Sequence, residues 1–215
     1  MRLNLIIALF LCLGTALSAQ VQFGVKALYG VSYNKETSRE FTNLNPLRVH
    51  NIAAMKADSK RGLGLSLFMA NDKLFFMTDA QYVTSGENFS LLSTNYKRTP
   101  LDPAVLYETN EADLRLAVTS GFKYKNLKFG VGPEFSYSLA KTENLSDLEE
   151  IATNDESYKA GFNFLIGYTF ADHIHLDLKH TYLFNDVSSE YTYLGSPLEL
   201  RSNLKFVELS LGFFF

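Results

Sequence analysis

The feature that most limits how this chain can fold is a regular alternation of apolar and polar residues over positions 113–140. One set of alternate positions is continuously apolar, and a period of two residues is that of a β-strand, not of a helix. The other set holds small and charged residues, among them Arg115 and Glu134. Positions 125–126 interrupt the run, and a two-residue turn keeps facing residues on the same face. The stretch therefore predicts a β-hairpin with one apolar and one polar face.

The two faces of this hairpin are unequal, because the apolar face is continuous and large while the other is small and charged. This arrangement is inside-out relative to a water-soluble barrel, and it fits a strand with lipid outside and a polar lumen inside. The same alternation recurs in six more segments, at 21–33, 62–69, 74–85, 158–170, 174–185 and 204–215. The chain is therefore predicted to be all-β, as an eight-stranded antiparallel up-and-down transmembrane β-barrel.

The connections between these segments alternate in length. Short turns are predicted at 70–73, 125–126 and 171–173, and long segments at 34–61, 86–110, 141–157 and 186–203. The second long segment contains Pro100 and Pro103, which suit a loop better than an inner strand. An up-and-down barrel produces this alternation when its short turns lie on the side of both termini. We therefore expect the short turns on the periplasmic side and the long segments on the cell surface.

The N-terminal segment has the features of a secretory signal. A charged Arg2 precedes an apolar run at 3–13 and a small-residue exit at 14–19. We expect residues 1–19 to be a signal peptide, cleaved near Ser18, Ala19 or Gln20, and residues 20–215 to form the barrel. The single cysteine, Cys12, lies in the signal, so the mature chain has no disulfide or thiol chemistry. An export signal together with inside-out alternation predicts the outer membrane of a Gram-negative cell.

The aromatic residues of the predicted strands fall into two groups by height. Rings with a polar edge favour the boundary between hydrocarbon and headgroups, so two belts are expected at the two membrane interfaces. The outer belt would consist of Tyr33, Tyr82, Tyr137, Tyr158, Tyr182 and Phe184. The inner belt would consist of Phe122, Tyr124, Phe170, Phe213 and Phe215.

The charged residues that the alternation turns inward predict a network of ion pairs across the lumen. An eight-stranded barrel is narrow enough for its side chains to fill it. Within the central hairpin, Glu134 lies diagonal to Arg115 and within reach of its guanidinium. A leaky pore is the alternative, and ion pairs crossing the lumen would oppose it. The predicted network consists of Lys26, Asp79, Arg115, Glu134, Asp177, Lys179 and Glu208.

No residue pattern predicts a catalytic centre, a metal site or a cofactor site. His173 and His175 alternate with Asp177, as metal ligands can, but His173 belongs to a predicted turn and no further ligand is suggested. His180 faces lipid near the outer rim, as the histidine of a lipid A deacylase does, yet the residue two positions on is Tyr182 and not the serine nucleophile. A net charge of −3 without a basic stripe argues against a nucleic-acid partner.

Three stretches carry a resemblance to a known family: the opening at 23–26, the strand at 129–133 and the aromatic closing strand at 204–215. The chain resembles the small outer-membrane β-barrel domain family often labelled PorT-like, and in architecture it resembles OmpA- and OmpX-type barrels. The resemblance implies an association with type IX secretion. It also implies that the closing strand is recognised by the outer-membrane assembly machinery through Leu209, Leu211, Phe213 and Phe215.

We therefore expect a non-enzymatic, monomeric outer-membrane barrel whose four surface loops act in adhesion, envelope integrity or secretion assembly. Its expected partners are outer-membrane lipid and lipopolysaccharide, the barrel assembly machinery, and secretion or envelope proteins. Two alternatives remain open. One is a lipid-modifying enzyme of the outer leaflet that uses His180. The other is a soluble secreted barrel that binds an apolar ligand, which would require the Leu, Phe and Tyr face to point inward.

Overall fold

The computed structural model describes residues 20–32, 40–42, 48–54, 59–95, 105–145, 149–154, 157–193 and 196–215. Eight long strands form the barrel: β1 Gln20–Ser32, β4 Ser59–Ala70, β5 Leu74–Asn95, β6 Val105–Tyr124, β7 Leu127–Leu145, β9 Tyr158–Phe170, β10 Ile174–Tyr193 and β11 Ser196–Phe214. Three short strands accompany them: β2 Glu40–Thr42, β3 Arg48–Ala54 and β8 Glu149–Asn154. Within the described ranges, no helix is long and apolar enough to cross a membrane.

The eight long strands pair antiparallel in chain order, and β1 closes the ring by pairing with both β4 and β11. The pairing register is staggered from strand to strand. The paired residues can be followed from strand to strand around the barrel, starting at Gln22 of β1. This path returns to β1 at Ser32, ten residues further along the chain. Such a stagger tilts the strands and fixes the width of the barrel. The predicted fold, a closed antiparallel barrel of eight strands, is confirmed.

The two faces of the strands point as the alternation predicted. Outward side chains such as Leu65 and Phe122 are 67% and 70% exposed, whereas inward Arg115 and Lys128 are 1% and 0% exposed. The soluble-barrel alternative required the apolar residues to lie inside, and the structure places them outside. A closed exterior of leucine, valine and aromatic residues is suited to hydrocarbon and not to water.

At the end of the barrel that carries the short turns, hydrogen bonds join the first strand to the last strand and to a turn. Phe23 and Phe215 exchange both backbone hydrogen bonds, at 3.2 and 2.8 Å. The side chain of Gln22 donates a hydrogen bond of 3.1 Å to the carbonyl of Asp172, in the turn between β9 and β10. Asp172 has a φ of 60°, in the left-handed region that tight turns use. The short turns, the start of β1 and the end of β11 therefore lie at one end of the barrel, as predicted.

The predicted upper limits of several strands were wrong. β5 and β6 stay paired as far as Leu91 and Val105, and β10 and β11 stay paired to Tyr193 and Ser196. Much of the segments 86–110 and 186–203, predicted as loops, is therefore β-structure. The alternation of apolar and polar residues ends where both faces of the sheet meet the same solvent. The backbone hydrogen bonds between the strands can continue beyond that point. Sequence periodicity therefore marks only the part of a strand that separates two environments.

The strand extensions beyond the barrel rim carry the three short strands. β3 pairs with the upper part of β5, β2 pairs with β3, and β8 pairs with the upper part of β10. The register shifts at two places near this rim, between Ala112 and Asp113 and between Tyr182 and Asp186. Bulges of this kind increase local twist and bend a strand, so they mark where the extensions leave the barrel wall.

The outer aromatic belt is a row of facing residues on neighbouring strands. Tyr82 lies opposite Leu114, Leu114 opposite Tyr137, and Tyr137 opposite Tyr158. The ring of Phe184 packs edge-on against Phe162, with centroids 5.2 Å apart. The inner-belt residues Phe122, Tyr124, Phe170, Phe213 and Phe215 are exposed at the other end. Tyr33 lies outside the described residues.

Candidate functional site

The interior of the barrel is closed near the short turns by an apolar plug. Its buried members are Phe68, Ala70, Phe75, Met77, Leu165 and Phe214. The imidazole of His175 belongs to this plug, because it stacks on Phe214 at 4.1 Å between centroids and meets Phe68 edge-on at 4.7 Å. Aromatic contacts of these kinds favour a fixed geometry. The plug therefore blocks the lumen at the end of the barrel that carries the short turns.

A first charged layer lies directly above this plug. The ammonium of Lys26 is 3.0 Å from a carboxylate oxygen of Asp79 and 3.0 Å from one of Asp177. Asp177 is also 2.8 Å from the ammonium of Lys128, which in turn lies 3.0 Å from Nδ1 of His175. The hydroxyl of Ser66 donates a hydrogen bond to Asp79. The two lysines and two aspartates of this layer balance one another in charge.

A second charged layer crosses the middle of the lumen. The ammonium of Lys179 lies 3.1 Å from Glu134 and 3.2 Å from Glu208. The guanidinium of Arg115 is 2.5 Å from Glu208, and the hydroxyl of Thr181 donates a 3.0 Å hydrogen bond to Glu134. These four ionised residues come from β6, β7, β10 and β11 and are again balanced in charge. Lys179 and Glu208 face each other on the adjacent strands β10 and β11, whereas the Arg115–Glu208 pair joins β6 to β11 and so spans the lumen.

A third layer lies near the outer rim. The Phe206 ring has the ammonium of Lys60 and the guanidinium of Arg115 each 4.3 Å from its centroid, a geometry that favours cation–π attraction. The ammonium of Lys159 is 2.8 Å from Glu111. Asp113 lies 3.6 Å from Arg115, the residue that links this layer to the one below.

The three layers together leave the lumen filled. Among the described residues, those that pair inside the barrel include the cations Lys26, Lys60, Arg115, Lys128, Lys159 and Lys179 and the acids Asp79, Glu111, Asp113, Glu134, Asp177 and Glu208. Charges inside a protein require nearby opposite charges and hydrogen bonds, because removing them from water is costly. The side chains of largest volume among those that are almost wholly buried include Arg115, Lys128, Phe206 and Phe214. The arrangement is suited to closing and bracing a barrel.

The seven residues of the predicted network all lie inside the barrel, in two groups. Lys26, Asp79 and Asp177 form the first layer, and the other four form the second. The expected partner of Arg115 within its own hairpin was wrong, because Glu134 pairs with Lys179 while Arg115 pairs with Glu208. Five further charged residues lie in the interior: Lys60, Glu111, Asp113, Lys128 and Lys159. Strand parity predicts Lys128 and Lys159 as inward charges, although the predicted network did not include them, whereas Lys60, Glu111 and Asp113 were not predicted.

The residues of the implied assembly signal lie on the outward face of β11. Leu209, Leu211, Phe213 and Phe215 are all exposed. They form part of the apolar exterior, so any factor that recognises this strand would meet them there. The predicted signal peptide, residues 1–19, lies outside the described part of the chain.

The histidines are placed apart from one another. His173 is exposed in a turn, with Nδ1 3.0 Å from the carbonyl of Phe214, while His175 is buried. Among the described residues, no group of three or more His, Cys, Asp or Glu residues is placed to hold a metal ion. His180 lies on the outer face, and Phe164 and Val207 face it from the two neighbouring strands. Neither of these neighbours could act as a nucleophile.

Gly167 makes room for the central ion pair of the first layer. A Cβ at this position would lie 2.2 Å from Oδ1 of Asp177 and 2.6 Å from Cε of Lys128. We therefore expect Gly167→Ala to displace both side chains and to lower the free energy of unfolding by about 1–3 kcal/mol. Urea titration of the folded barrel, followed by far-ultraviolet circular dichroism, measures this change. In a double-mutant cycle with Asp177→Ala, the two losses should be less than additive. Strict additivity would contradict the steric account.

Comparison with known proteins bears on the fold. No protein-family model matches the chain, and no curated protein matches it in sequence. It is similar to the crystal structure of OprG from Pseudomonas aeruginosa, with a TM-score of 0.52, 10% identity, and coverage of 92% of this chain and 97% of that one. It also matches Outer Membrane Protein W of E. coli, with a TM-score of 0.44, 14% identity, and coverage of 92% and 100%. A third match is the outer membrane protease OmpT of Escherichia coli, with a TM-score of 0.40, 10% identity, and coverage of 92% and 97%.

The similarity to OprG agrees with the antiparallel pairing of eight strands described above. The chain has the fold of a small outer-membrane β-barrel. The fold and the apolar exterior are those of a protein of the cell outer membrane, as the sequence predicted.

Proposed function

We propose that this protein is a closed, non-enzymatic and monomeric outer-membrane scaffold that holds a platform of β-strands above the cell surface. The observation that carries the proposal is the filled interior. Three charge-balanced layers and an apolar plug of buried side chains occupy the lumen of the described barrel, and this filling supports a barrel that is closed to solutes. An eight-stranded barrel is of the size at which side chains fill the interior.

The platform consists of the strand extensions beyond the outer aromatic belt. β5 continues from Tyr82 to Asn95, and at about 3.3 Å per residue and a tilt of about 40° this part rises roughly 30 Å. β2, β3, β6 and β7 accompany β5, while β8 and β11 accompany β10. With the short turns on the periplasmic side, the platform faces the outside of the cell. Rigid strands of this height are suited to present a binding surface to another protein or cell.

The resemblance to PorT-like barrels suggests a role for this platform in secretion assembly, and adhesion is the other role that a surface platform supports. In either case the partner is a protein or glycan met outside the membrane. The barrel itself then serves as an anchor, inserted by the barrel assembly machinery through the exposed closing strand. Deletion of the protein in its own cell, followed by measurement of type IX cargo in the medium, distinguishes the two roles.

A closed lumen predicts no ion conductance. We expect the purified barrel in planar lipid bilayers to show no current steps above those of protein-free membranes. The double substitution Arg115→Ser/Glu208→Ser removes one cation and one anion from the layer that crosses the middle of the lumen, and we expect it to produce steps. The double substitution Lys73→Gln/Asp72→Asn, at an exposed turn, is the matched control and should stay silent. Regular steps from the unaltered protein would contradict the scaffold proposal.

The platform is tested by trimming it. Gly86 pairs with Asn110, so residues 87–109 can be replaced by an Asn-Gly turn without changing the register below. We expect the trimmed barrel to fold and to migrate differently on gels before and after boiling, because the barrel wall and the interior layers remain. Cells that carry it should behave as cells lacking the protein, in adhesion or in cargo export. Full rescue by the trimmed form would contradict a function located in the platform.

A further inference from the structure

The charges on the lipid-facing surface are confined to one side of the barrel. Along the outward rows of β1, β4, β10 and β11, as far as their side chains are described, Arg61 and Lys205 are the formal charges and no acid is present. The described outward rows of the other four strands carry no charge between the two aromatic belts. Both cations lie at the end of the barrel that carries the strand extensions. Such an asymmetry is not needed to anchor a barrel, which aromatic residues at the interface already do.

His180 and several tyrosines complete this surface. Arg61 lies opposite Tyr29, and Val207 lies opposite His180, with Lys205 two residues before Val207 on β11. Lys205 and His180 are diagonal to one another on neighbouring strands, whereas Arg61 lies on β4, beyond the intervening strand β1, so the three side chains can meet separate groups of one large ligand. The ammonium of Lys205 is 5.0 Å from the ring centroid of its neighbour Tyr182, which holds the charge against the barrel wall. We call Arg61, His180 and Lys205 the cationic rim.

The position of the cationic rim identifies the chemistry that it meets. Tyrosine belts mark the boundary between hydrocarbon and headgroups, and the abundant anion at that boundary is the phosphate of a lipid. A guanidinium binds phosphate through two parallel hydrogen bonds, and an ammonium adds a point charge. We propose that the cationic rim binds the phosphate groups of the phosphorylated glycolipid of the outer leaflet.

The surface below the cationic rim fits the rest of such a lipid. Leu63 and Leu65 on β4 are 69% and 67% exposed, and Leu209 and Leu211 on β11 are also exposed. These branched side chains form an aliphatic strip that runs from the cationic rim towards the inner belt. Acyl chains can lie along the strip while the phosphate meets the cations. A free phosphate ion would gain only the contact with the cations, so a lipid fits this surface better than a free anion does.

The inference rests on the membrane location and orientation proposed above, but its test requires neither. The barrel is placed in phosphatidylcholine nanodiscs with either lipid A or lipid A from which the phosphates have been removed, and retained lipid is counted by native mass spectrometry. At the strength usual for surface cations and anionic lipid, we expect about tenfold preferential retention of the phosphorylated form. Arg61→Gln/Lys205→Gln should abolish the preference, and Arg61→Lys should keep part of it.

The matched control removes two positive charges elsewhere. Lys73→Gln/Lys125→Gln alters two exposed lysines at the short-turn end and should leave the preference unchanged. Equal retention of the two lipid forms by the unaltered barrel would overturn the inference, and so would a preference that survives Arg61→Gln/Lys205→Gln. Displacement of lipid A by millimolar inorganic phosphate would also overturn it, because the site would then be one for a free anion. None of these outcomes affects the closed lumen, which the conductance measurement tests separately.

Discussion

Asp177→Asn is expected to lower the free energy of unfolding by about 3–5 kcal/mol, because it removes one partner of a buried ion pair and leaves the other in place. The carboxylate of Asp177 lies 3.0 Å from the ammonium of Lys26 and 2.8 Å from that of Lys128. Lys26 would keep Asp79, but Lys128 would lose its carboxylate and keep only the neutral contacts with Nδ1 of His175 and the ring of Phe68, 5.1 Å away. The unpaired ammonium, not the lost hydrogen bonds, dominates the expected loss.

The measurement is equilibrium unfolding in urea of the barrel folded in phospholipid vesicles. The chain has no tryptophan, so far-ultraviolet circular dichroism and the gel shift on boiling replace the usual fluorescence signal. Asp172→Asn is the matched control, since Asp172 is exposed in a turn and asparagine tolerates its left-handed backbone. The control should change stability by no more than about 0.5 kcal/mol. Equal losses from the two substitutions would show that the interior layer does not brace the barrel.

A second variant separates charge from packing. Asp177→Asn/Lys128→Met removes the unpaired ammonium as well as its partner and keeps a side chain of similar length. Part of the stability lost in the single variant should return, because replacement of both members of a buried pair by neutral groups is often tolerated. No recovery would indicate that the loss comes from the shape of the interior.

The strand segments inside the membrane could be predicted from the sequence because they separate two solvents. β9 was predicted at 158–170 and runs from Tyr158 to Phe170, since every outward residue faces lipid and every inward residue faces the lumen. β5 was predicted to end at position 85 and continues to Asn95. Beyond the rim both faces of the sheet leave the lipid, so the side chains lose the alternation while the hydrogen-bond ladder persists.

The choice of ion-pair partners could not be read from the sequence. Register within a hairpin places Glu134 diagonal to Arg115, but inward side chains also reach across the lumen to strands far away in the chain. Arg115 meets Glu208 on β11, 93 residues away. That contact depends on the stagger of the whole barrel and on the rotamers of long side chains. Lys60 was missed for a simpler reason: β4 begins at Ser59, inside a basic segment that was predicted to be a loop.

Ile166→Arg is the second substitution with a large expected effect, and it distinguishes a lipid-facing exterior from a water-facing one. Ile166 is 52% exposed and lies on the outward row of β9, midway between Phe162 and Phe170. An arginine on the lipid face near the bilayer midplane costs about 2–4 kcal/mol in a membrane barrel. The same substitution on a surface exposed to water would change stability by no more than about 0.5 kcal/mol. Unfolding in phospholipid vesicles measures the difference.

Depth provides the control for this prediction. Tyr158 lies on the same outward row of β9, in the outer belt, and is 62% exposed. Tyr158→Arg should cost only about 0–1 kcal/mol, because an arginine near the interface can place its charge among headgroups. Ile166→Arg and Tyr158→Arg change one face of the same strand at positions of similar exposure. Their costs in free energy of unfolding should therefore differ only because the two positions lie at different depths in the membrane. If both were neutral, the exterior would face water, and the cationic rim would lose the phosphate layer that gives it a ligand.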